Sequence, residues 1–353
     1  MTSLCLSILN KAYNQTVVFG PWRLCLSGID VESSSKKPFL LTRGVMLQPV
    51  DLTLRDWPQR AKRADLTTIE LQPFPKLVMD FVRSEEGQKF LEKCKMLGLQ
   101  VEYELHAMRE LLPRELFNTD PSLYRMDEHG VRTPDANLCV SSEGALEIIS
   151  RNALSISKVL HPATGRYFFW GDDAQPYCHC PECGGLSESE QSLIVENRIL
   201  ETLHKMDPKA KVAHLAYART LQPPKKIKPK RGIFLEYAPI QRRYDIPLAS
   251  KDDRNQRRHL DLLDANLEFF GSDDAQVLEY WLDSSRFSGW KKPAVKVPFD
   301  SKVLASDLET YSSRGIRHIT THAVWIDAEY VEKYGDPPIG EYGSALLNCR
   351  PLT

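Results

Sequence analysis

The chain alternates short apolar segments with longer amphipathic segments from about residue 43 to its end. The short segments have the length of strands, and the long ones carry apolar residues at helical spacing. Alternation of this kind is typical of a parallel sheet whose neighbouring strands are joined by crossover helices. Eight strands are predicted, at residues 44–48, 67–72, 100–106, 167–172, 212–217, 232–238, 275–283 and 317–322.

Eight strands with eight crossovers favour a closed sheet, the (β/α)8 TIM barrel. An open doubly wound sheet more often has a glycine-rich phosphate turn after its first strand, and the sequence has none. The length of 353 residues and the hydrophobic content of 42% suit one barrel with a large core. We therefore expect a barrel over residues 43–353 and a short N-terminal extension, a candidate remnant of a larger domain, over residues 1–42.

Charge and hydropathy argue against nucleic acid and membrane as partners. The net charge is −1, and the basic run at residues 225–231 is interrupted by proline and lacks stacking aromatics, which favours a solvated loop. No apolar stretch of about 20 residues is present, so no membrane span is expected. The start of the chain does not resemble a secretory signal, and scattered cysteines favour reduced thiols. We expect a cytoplasmic protein, or a secreted one if a leader was removed; the oligomeric state stays open.

The polar side chains of the predicted strands follow a period of two. Because the outer face of a barrel packs against apolar helices, the polar face of each strand should point into the barrel. On the third strand this face carries Glu102, Glu104 and His106. The same rule selects Glu70 and Gln72, Trp170 and Asp172, His214, Glu236, then Glu279, Trp281 and Asp283, and finally His318, Thr320 and His322.

Barrel enzymes place their chemistry at the carboxyl ends of the strands. Cleavage of a glycoside needs one carboxylic acid and a second carboxylate, and aromatic rings stack on sugar faces. For Glu70, Glu102 and His318, low in the barrel, internal ion pairs are an equally good explanation. The predicted catalytic carboxylates are Asp172, Asp173, Glu236, Glu279 and Asp283, and the predicted sugar-binding side chains are His106, Trp170, Tyr217, Tyr237, Trp281 and His322.

Three cysteines stand close together in the loop after the fourth strand. Cys178, Cys180 and Cys183 have a spacing that lets three thiolates converge on one tetrahedral metal. The fourth ligand would be His179, another loop residue or water. A structural zinc, free thiols and one disulfide are the alternatives, whereas a catalytic metal is disfavoured because thiolates leave it little Lewis acidity. No cofactor is required by the predicted chemistry.

Several motifs resemble a known family. They are the run Trp-Gly-Asp-Asp at residues 170–173 with the three cysteines, Asn197 in the next helix, the pair 216–217, and the segments 43–47, 137–141, 279–283 and 330–337. Together they resemble a bacterial family of uncharacterised, glycoside-hydrolase-like TIM-barrel domains, distantly similar to the alpha-glucuronidases. That resemblance implies an acid after the fourth strand, Asp172 or Asp173, and a partner among Glu236, Glu279 and Asp283.

The leading hypothesis is therefore a glycoside hydrolase acting on an oligosaccharide that can contain a uronic acid. Arg109, Arg219 or Arg242 could pair with a sugar carboxylate. A carbohydrate-binding barrel without catalysis is the first alternative. The second is a metal-dependent lyase, epimerase or hydrolase that uses His106, His322 and acids at the strand ends.

Overall fold

The computed structural model of the chain describes residues 37–351. Most of the predicted extension, residues 1–36, lies outside the described residues, so the boundary expected at residue 42 stays a prediction. Each strand is a short run of mostly buried residues. The eight strands are β1 Thr42–Leu47, β2 Thr68–Leu71, β3 Gln100–His106, β4 Arg166–Trp170, β5 Lys211–Ala216, β6 Ile233–Tyr237, β7 Gln276–Glu279 and β8 His318–His322.

Within residues 37–351, ten α-helices lie in the segments between the strands and two more follow β8. None of those within residues 37–351 has the length and apolar character needed to cross a bilayer. Several begin at a side-chain cap, for example Ser187, which forms a capping box with Glu190. The helices are α1 Trp57–Arg63, α2 Pro75–Arg83, α3 Glu85–Leu97, α4 Met108–Leu111, α5 Glu143–Val159, α6 Glu188–Leu203, α7 Asp253–Asn255, α8 Asp261–Phe270, α9 Ser284–Phe287, α10 Ser301–Ser312, α11 Ala328–Tyr334 and α12 Ile339–Asn348.

The strands form a closed parallel barrel in sequence order, with β1 paired to both β2 and β8. The predicted (β/α)8 TIM barrel is confirmed. Gly44 suits the closing seam because a Cβ atom there would lie 2.7 Å from Cγ2 of Thr320. β4 ends at Trp170 and β7 at Glu279, so Asp172 and Asp283, which were predicted to end these strands, lie in the loops that follow them.

Polar side chains fill the part of the barrel lumen below Trp170. The Gln276 amide donates hydrogen bonds to Glu70 (3.2 Å), Glu104 (2.8 Å) and Glu236 (3.3 Å). Arg166 donates to the same amide at 2.9 Å. The predicted inward orientation is therefore confirmed for these glutamates. The hydrogen bonds of this network reduce the free-energy cost of burying the ionisable groups away from water.

Apolar side chains complete the lumen and the outer layer. Met46, Phe168, Leu215, Phe234 and Leu278 belong to one buried cluster inside the barrel. A second and larger cluster joins the outer faces of the strands to the helices. This arrangement leaves the carboxyl ends of the strands as the open, polar end of the barrel.

Candidate active site

A pocket opens at the carboxyl ends of the strands, with a volume of about 430 Å³. Loops after β1, β2, β4, β6, β7 and β8 contribute to its wall, so its residues come from all sides of the barrel. This is the place where barrel enzymes carry their reactive groups. Six of the predicted site residues line it together: Asp173, Asp283, His106, Trp170, Tyr217 and His322.

Asp173 is the solvent-exposed carboxylate of the pocket. It follows β4 by three residues, and its Oδ1 accepts a hydrogen bond from the Tyr217 hydroxyl at 2.9 Å. Burial, together with the nearby acids Asp173 and Asp283, raises the pKa of Tyr217, so this hydroxyl keeps its proton and acts as a donor. An exposed carboxylate with a fixed donor is suited to face a substrate.

Asp283 is the buried carboxylate of the pocket, only 3% exposed. It caps the N-terminus of α9, where its Oδ1 accepts from the Ser285 hydroxyl (2.6 Å) and the Arg286 backbone N–H (3.1 Å). Burial raises the pKa of Asp283, and the two hydrogen bonds oppose that change. The pocket thus holds one exposed and one buried carboxyl group. Burial favours the protonated form that a general acid needs, and exposure suits the carboxylate that serves as its partner.

Trp170 and His106 form one side of the pocket floor. The indole N–H of Trp170 donates to Glu236 at 2.8 Å, which places Glu236 beneath the floor and not in the pocket. Nδ1 of His106 lies 2.8 Å from the carbonyl oxygen of Gly171 and so carries the proton, which leaves Nε2 as an acceptor. The two rings meet edge to face with centroids 5.0 Å apart.

His322 and Tyr280 form the opposite side of the floor. Their rings stack at 4.5 Å with an angle of 11° between planes, and the Gln72 amide lies 3.3 Å from Nδ1 of His322. Burial and the neighbouring His106 lower the pKa of His322 to about 3. The ring is therefore neutral at physiological pH and serves as a hydrogen-bonding group, not as a proton donor for catalysis.

Asp172 locks the loop after β4 in place. Its Oδ2 accepts from the guanidinium of Arg114 (2.5 Å) and from the backbone N–H of Asn137 (2.6 Å). The Asn137 side chain completes the lock through the backbone N–H of Asp172 (3.0 Å) and the carbonyl of Pro176 (2.9 Å). Asp172 is consequently a positioning residue for its neighbour Asp173, and its carboxylate is already paired.

Gly171 explains why the lock can form so close to the end of β4. A Cβ atom at this position would lie 2.8 Å from the Tyr177 hydroxyl and 3.1 Å from Oδ1 of Asn137. Only glycine allows the two loops to approach in this way.

Several non-glycine residues with a left-handed backbone conformation lie in the loops at the same end of the barrel. Asn137, Ala174, Ala218, Trp290 and Trp325 have φ angles between 42° and 64°. Such conformations cost free energy and are common where a loop must hold a functional group in place. Their location supports the pocket as the functional end of the molecule.

The inward orientation predicted for β5 and for the end of β7 is wrong. His214 points outward, where its Nδ1 lies 2.7 Å from Glu196 on α6. Glu279 also points outward and pairs with Arg242 at 3.3 Å, while Trp281 donates to Asp307 on α10 at 3.0 Å. The parity rule fails here because each outward polar group has a buried partner on a helix or loop.

Two further predicted site residues also lie outside the pocket. Tyr237 points away from the lumen, and its hydroxyl donates to the carbonyl of His259 at 2.6 Å. Glu236 faces the lumen but lies below Trp170. Of the predicted arginines, Arg242 is fully buried in its ion pairs and Arg219 pairs with Glu188, so neither is available to a sugar.

Arg109 lies in a groove of about 950 Å³ that adjoins the pocket. The groove shares Phe74, His106 and Asp173 with the pocket and continues towards Lys76. Arg109 is exposed and has no ion pair within residues 37–351. A ligand longer than the pocket would meet charges of both signs in this groove, because Lys76, Arg109 and Arg114 line it together with Asp80, Glu110, Asp135, Asp172 and Asp173.

Several pocket residues were not predicted from the sequence. Gln48, Phe74, Ser285 and Trp290 line the pocket from loops. Trp290 is 64% exposed. It could have been identified from the sequence, because it stands in the polar segment Ser-Gly-Trp-Lys-Lys shortly after a predicted strand.

A fourth cysteine joins the predicted cluster. Cys139, from the long loop between β3 and α5, lies with its Sγ 3.6 Å from that of Cys180 and 3.9 Å from that of Cys183. The ligand atoms of Cys139, Cys178, Cys180 and Cys183 all lie within 4.8 Å of one another, and all four residues are buried. Cys139 is therefore the fourth member of the cluster, whereas His179, which the sequence offered as a fourth ligand, is exposed.

Comparisons with known proteins agree on the fold. A family model described as "Domain of unknown function (DUF4838)" matches residues 53–280. No curated protein matches the chain. A beta-galactosidase from the psychrophilic Marinomonas ef1 is 13% identical, with a TM-score of 0.50 over 81% of this chain and 54% of that one. This chain therefore spans about half of that enzyme's length.

Two further solved structures match this chain with lower TM-scores. One is a GH5 (subfamily 4) endo-beta-1,4-glucanase from Bacillus licheniformis complexed with cellotetraose, at 9% identity and a TM-score of 0.49 over 88% of this chain and 59% of that one. The other is ZgEngAGH5_4 in complex with a cellotriose, at 10% identity and a TM-score of 0.48 over 87% of this chain and 96% of that one. At such low identity, the similarity concerns the fold, and the resemblance to alpha-glucuronidases stays a prediction.

Proposed function

The chain belongs to the family described as domain of unknown function DUF4838, and from that premise we propose that it is a glycoside hydrolase acting on an oligosaccharide. The observation that carries the proposal is the pair Asp173 and Asp283, one exposed and one buried, in a pocket with aromatic walls. Two carboxyl groups in unlike surroundings are what this reaction requires. The barrel shared with a beta-galactosidase supports the same class.

Asp283 acts as the general acid in this proposal. Because burial raises its pKa, the carboxyl group holds a proton at a pH where an exposed aspartate has lost it. Its proton passes to the glycosidic oxygen as the bond from that oxygen to the anomeric carbon breaks. The leaving sugar thus departs as a neutral alcohol.

Asp173 acts as the second carboxylate. In direct displacement it takes a proton from the water whose oxygen bonds to the anomeric carbon. In double displacement its own oxygen forms the new bond, and water then releases the sugar while returning a proton to Asp283. In both cases the Tyr217 hydroxyl holds the reacting carboxylate in place through its 2.9 Å hydrogen bond.

The floor and rim of the pocket supply sugar-binding groups. Trp170, Tyr280 and the exposed Trp290 offer ring faces or edges to the apolar side of a pyranose. Nε2 of His106 offers an acceptor to a sugar hydroxyl. A uronic acid would place its carboxylate towards Arg109 in the adjoining groove, where that guanidinium is exposed and forms no ion pair within residues 37–351 although acids also line the groove.

The test is hydrolysis of a panel of aryl glycosides and oligosaccharides, uronosides included. We expect turnover of at least one member, and losses of about 10²- to 10⁴-fold in kcat for Asp283→Asn and Asp173→Asn. Asp283→Asn should lose least on aryl glycosides with acidic phenols, because these leave without a proton. Asp274→Asn, at the other end of β7 in an exposed pair with Lys211, is the matched control and should keep full activity.

Two outcomes would contradict the proposal. The first is turnover that survives in the double variant of Asp173 and Asp283. The second is sugar binding by calorimetry with no hydrolysis of any panel member, which indicates a carbohydrate-binding barrel. Activity that is abolished by chelation and restored by a divalent metal would instead support the metal-dependent alternative.

A further inference from the structure

Four buried cysteine thiols meet where two long loops cross, beside the pocket but outside it. We propose that Cys139, Cys178, Cys180 and Cys183 bind one zinc ion that joins these loops. In tetrahedral zinc sites the Zn–S bonds are about 2.3 Å, which places neighbouring sulfur atoms about 3.8 Å apart. The distances of 3.6 Å and 3.9 Å from Cys139 to two of its neighbours match that value.

The donor set is that of a structural site and not of a catalytic one. Within residues 37–351, none of the four cysteines forms a disulfide bond, and each is at most 2% exposed. Four sulfur ligands close the coordination shell, so no position is left for a reacting water. Soft thiolates in a tetrahedral arrangement select zinc, with iron as the chief competitor.

The surroundings of the cluster stabilise negatively charged sulfur. The backbone N–H of Met126 points to Sγ of Cys178 at 3.3 Å, and the guanidinium of Arg132 lies 3.8 Å from the same atom. The Ser141 hydroxyl lies 3.0 Å from Sγ of Cys139. Four thiolates around Zn²⁺ carry a net charge of −2, which these donors and the arginine partly offset.

The ion would fix the geometry of the loop that carries Asp173. Cys139 follows Asn137 by two residues, and Asn137 is the partner of Asp172 in the lock described above. On the other side, the backbone of Cys178 is held by the side chain of Gln191 on α6, at 3.1 Å and 3.0 Å. Metal and lock together therefore tie the β3–α5 loop, the β4–α6 loop and α6 into one unit.

The first experiment uses the full chain purified under reducing conditions and then reloaded with Zn²⁺. Mass spectrometry of the metal content should give one zinc per chain. Modification of the thiols with p-hydroxymercuribenzoate should release that zinc to a colorimetric chelator. Less than about a tenth of an equivalent after reloading, or four thiols that react freely with Ellman's reagent in the presence of zinc, would overturn the proposal. A coloured, iron-containing protein would overturn the choice of metal.

The second experiment identifies the ligands and does not depend on catalytic activity. Co²⁺ in place of zinc should give the sulfur-to-cobalt charge-transfer band of a four-thiolate site, and this wild-type spectrum stands even if a variant fails to fold. Cys139→Ser should weaken the band and lower zinc affinity at least about tenfold. Cys349→Ser, a buried thiol remote from the cluster, and His179→Ala should leave both unchanged. Loss of the band in His179→Ala but not in Cys139→Ser would contradict the assignment.

Discussion

Ser285 lowers the pKa of Asp283 through the hydrogen bond from its hydroxyl, against the larger effect of burial. This hydroxyl donates to Oδ1 of Asp283 at 2.6 Å. If Asp283 is the acid, activity falls as the pH rises through its pKa. Ser285→Ala should move the alkaline limb of kcat/KM up by about one pH unit, since a hydrogen bond to a charged group contributes roughly 1.5 kcal/mol.

Ser288→Ala is the control for this shift because Ser288 lies in the same turn and bonds to the carbonyl of Ser284, not to Asp283. Its alkaline limb should coincide with that of the wild type. An alkaline limb that stays in place in Ser285→Ala, or moves to lower pH, would show that Asp283 is not the proton donor.

Trp290 offers a second measurement at the residue scale. It lines the pocket, is 64% exposed and has a φ of 57°, so the chain holds an apolar ring in solvent at an unfavourable backbone angle. Trp290→Ala should raise KM about tenfold with little change in kcat, because stacking contributes on the order of 1 kcal/mol to binding. Met96→Ala, another exposed apolar residue but on α3, should leave KM unchanged.

At the scale of elements, strands could be predicted better than the direction of their side chains. Segment length and composition placed all eight strands because burial on both faces produces continuous apolar runs. Orientation on β5 and β7 could not be predicted, since it depends on partners 18 and 37 positions away along the chain. The proximity of Cys139 to the other three cysteines could not be predicted for the same reason.

The ion pairs behind β7 give a prediction for the element itself. Glu279 and Arg242 are both fully buried, and Asp307 and Tyr311 of α10 bond to the same pair. Glu279→Gln should lower the free energy of unfolding by about 3 kcal/mol, because it leaves a buried guanidinium with one partner fewer. The pH profile of activity should keep its shape, since Glu279 lies outside the pocket.

Urea denaturation and the activity profile of the same preparation measure both effects. Glu268→Gln, on the exposed face of α8, is the control and should change stability by less than about 0.5 kcal/mol. A flattened pH profile in Glu279→Gln with stability unchanged would return Glu279 to the catalytic candidates.

At the scale of the whole molecule, the number of predicted strands indicated a closed barrel. The closed barrel in turn indicated where the site would lie. Because every parallel strand ends at the same rim, Asp173, Asp283, His106 and His322 meet there although they are far apart in sequence. What could not be predicted from the sequence is how deep in the barrel each side chain lies. Glu236 and Asp283 both follow the expected pattern, yet one lies beneath Trp170 and the other in the pocket.

The lumen glutamates make the stability of the whole barrel dependent on pH. Burial raises the pKa of Glu70 and Glu104 well above their usual range and raises that of Glu236 to about 8. The folded chain therefore holds protons that the unfolded chain releases above about pH 4.5, so these carboxyls make the free energy of unfolding fall as the pH rises from about 4.5 to 8. Buried His259, His318 and His322, whose pKa values are lowered, oppose this fall up to about pH 6.5, so the decline should be clearest from about pH 6.5 to 8. Glu236→Gln should reduce this decline, with Asp51, whose pKa burial raises to about 7, contributing a remaining part. Urea denaturation at intervals across this range measures the slope, which Glu268→Gln should leave intact. A wild-type stability that rises or stays level from about pH 6.5 to 8 would mean that the lumen carboxyls are ionised and compensated by Arg166.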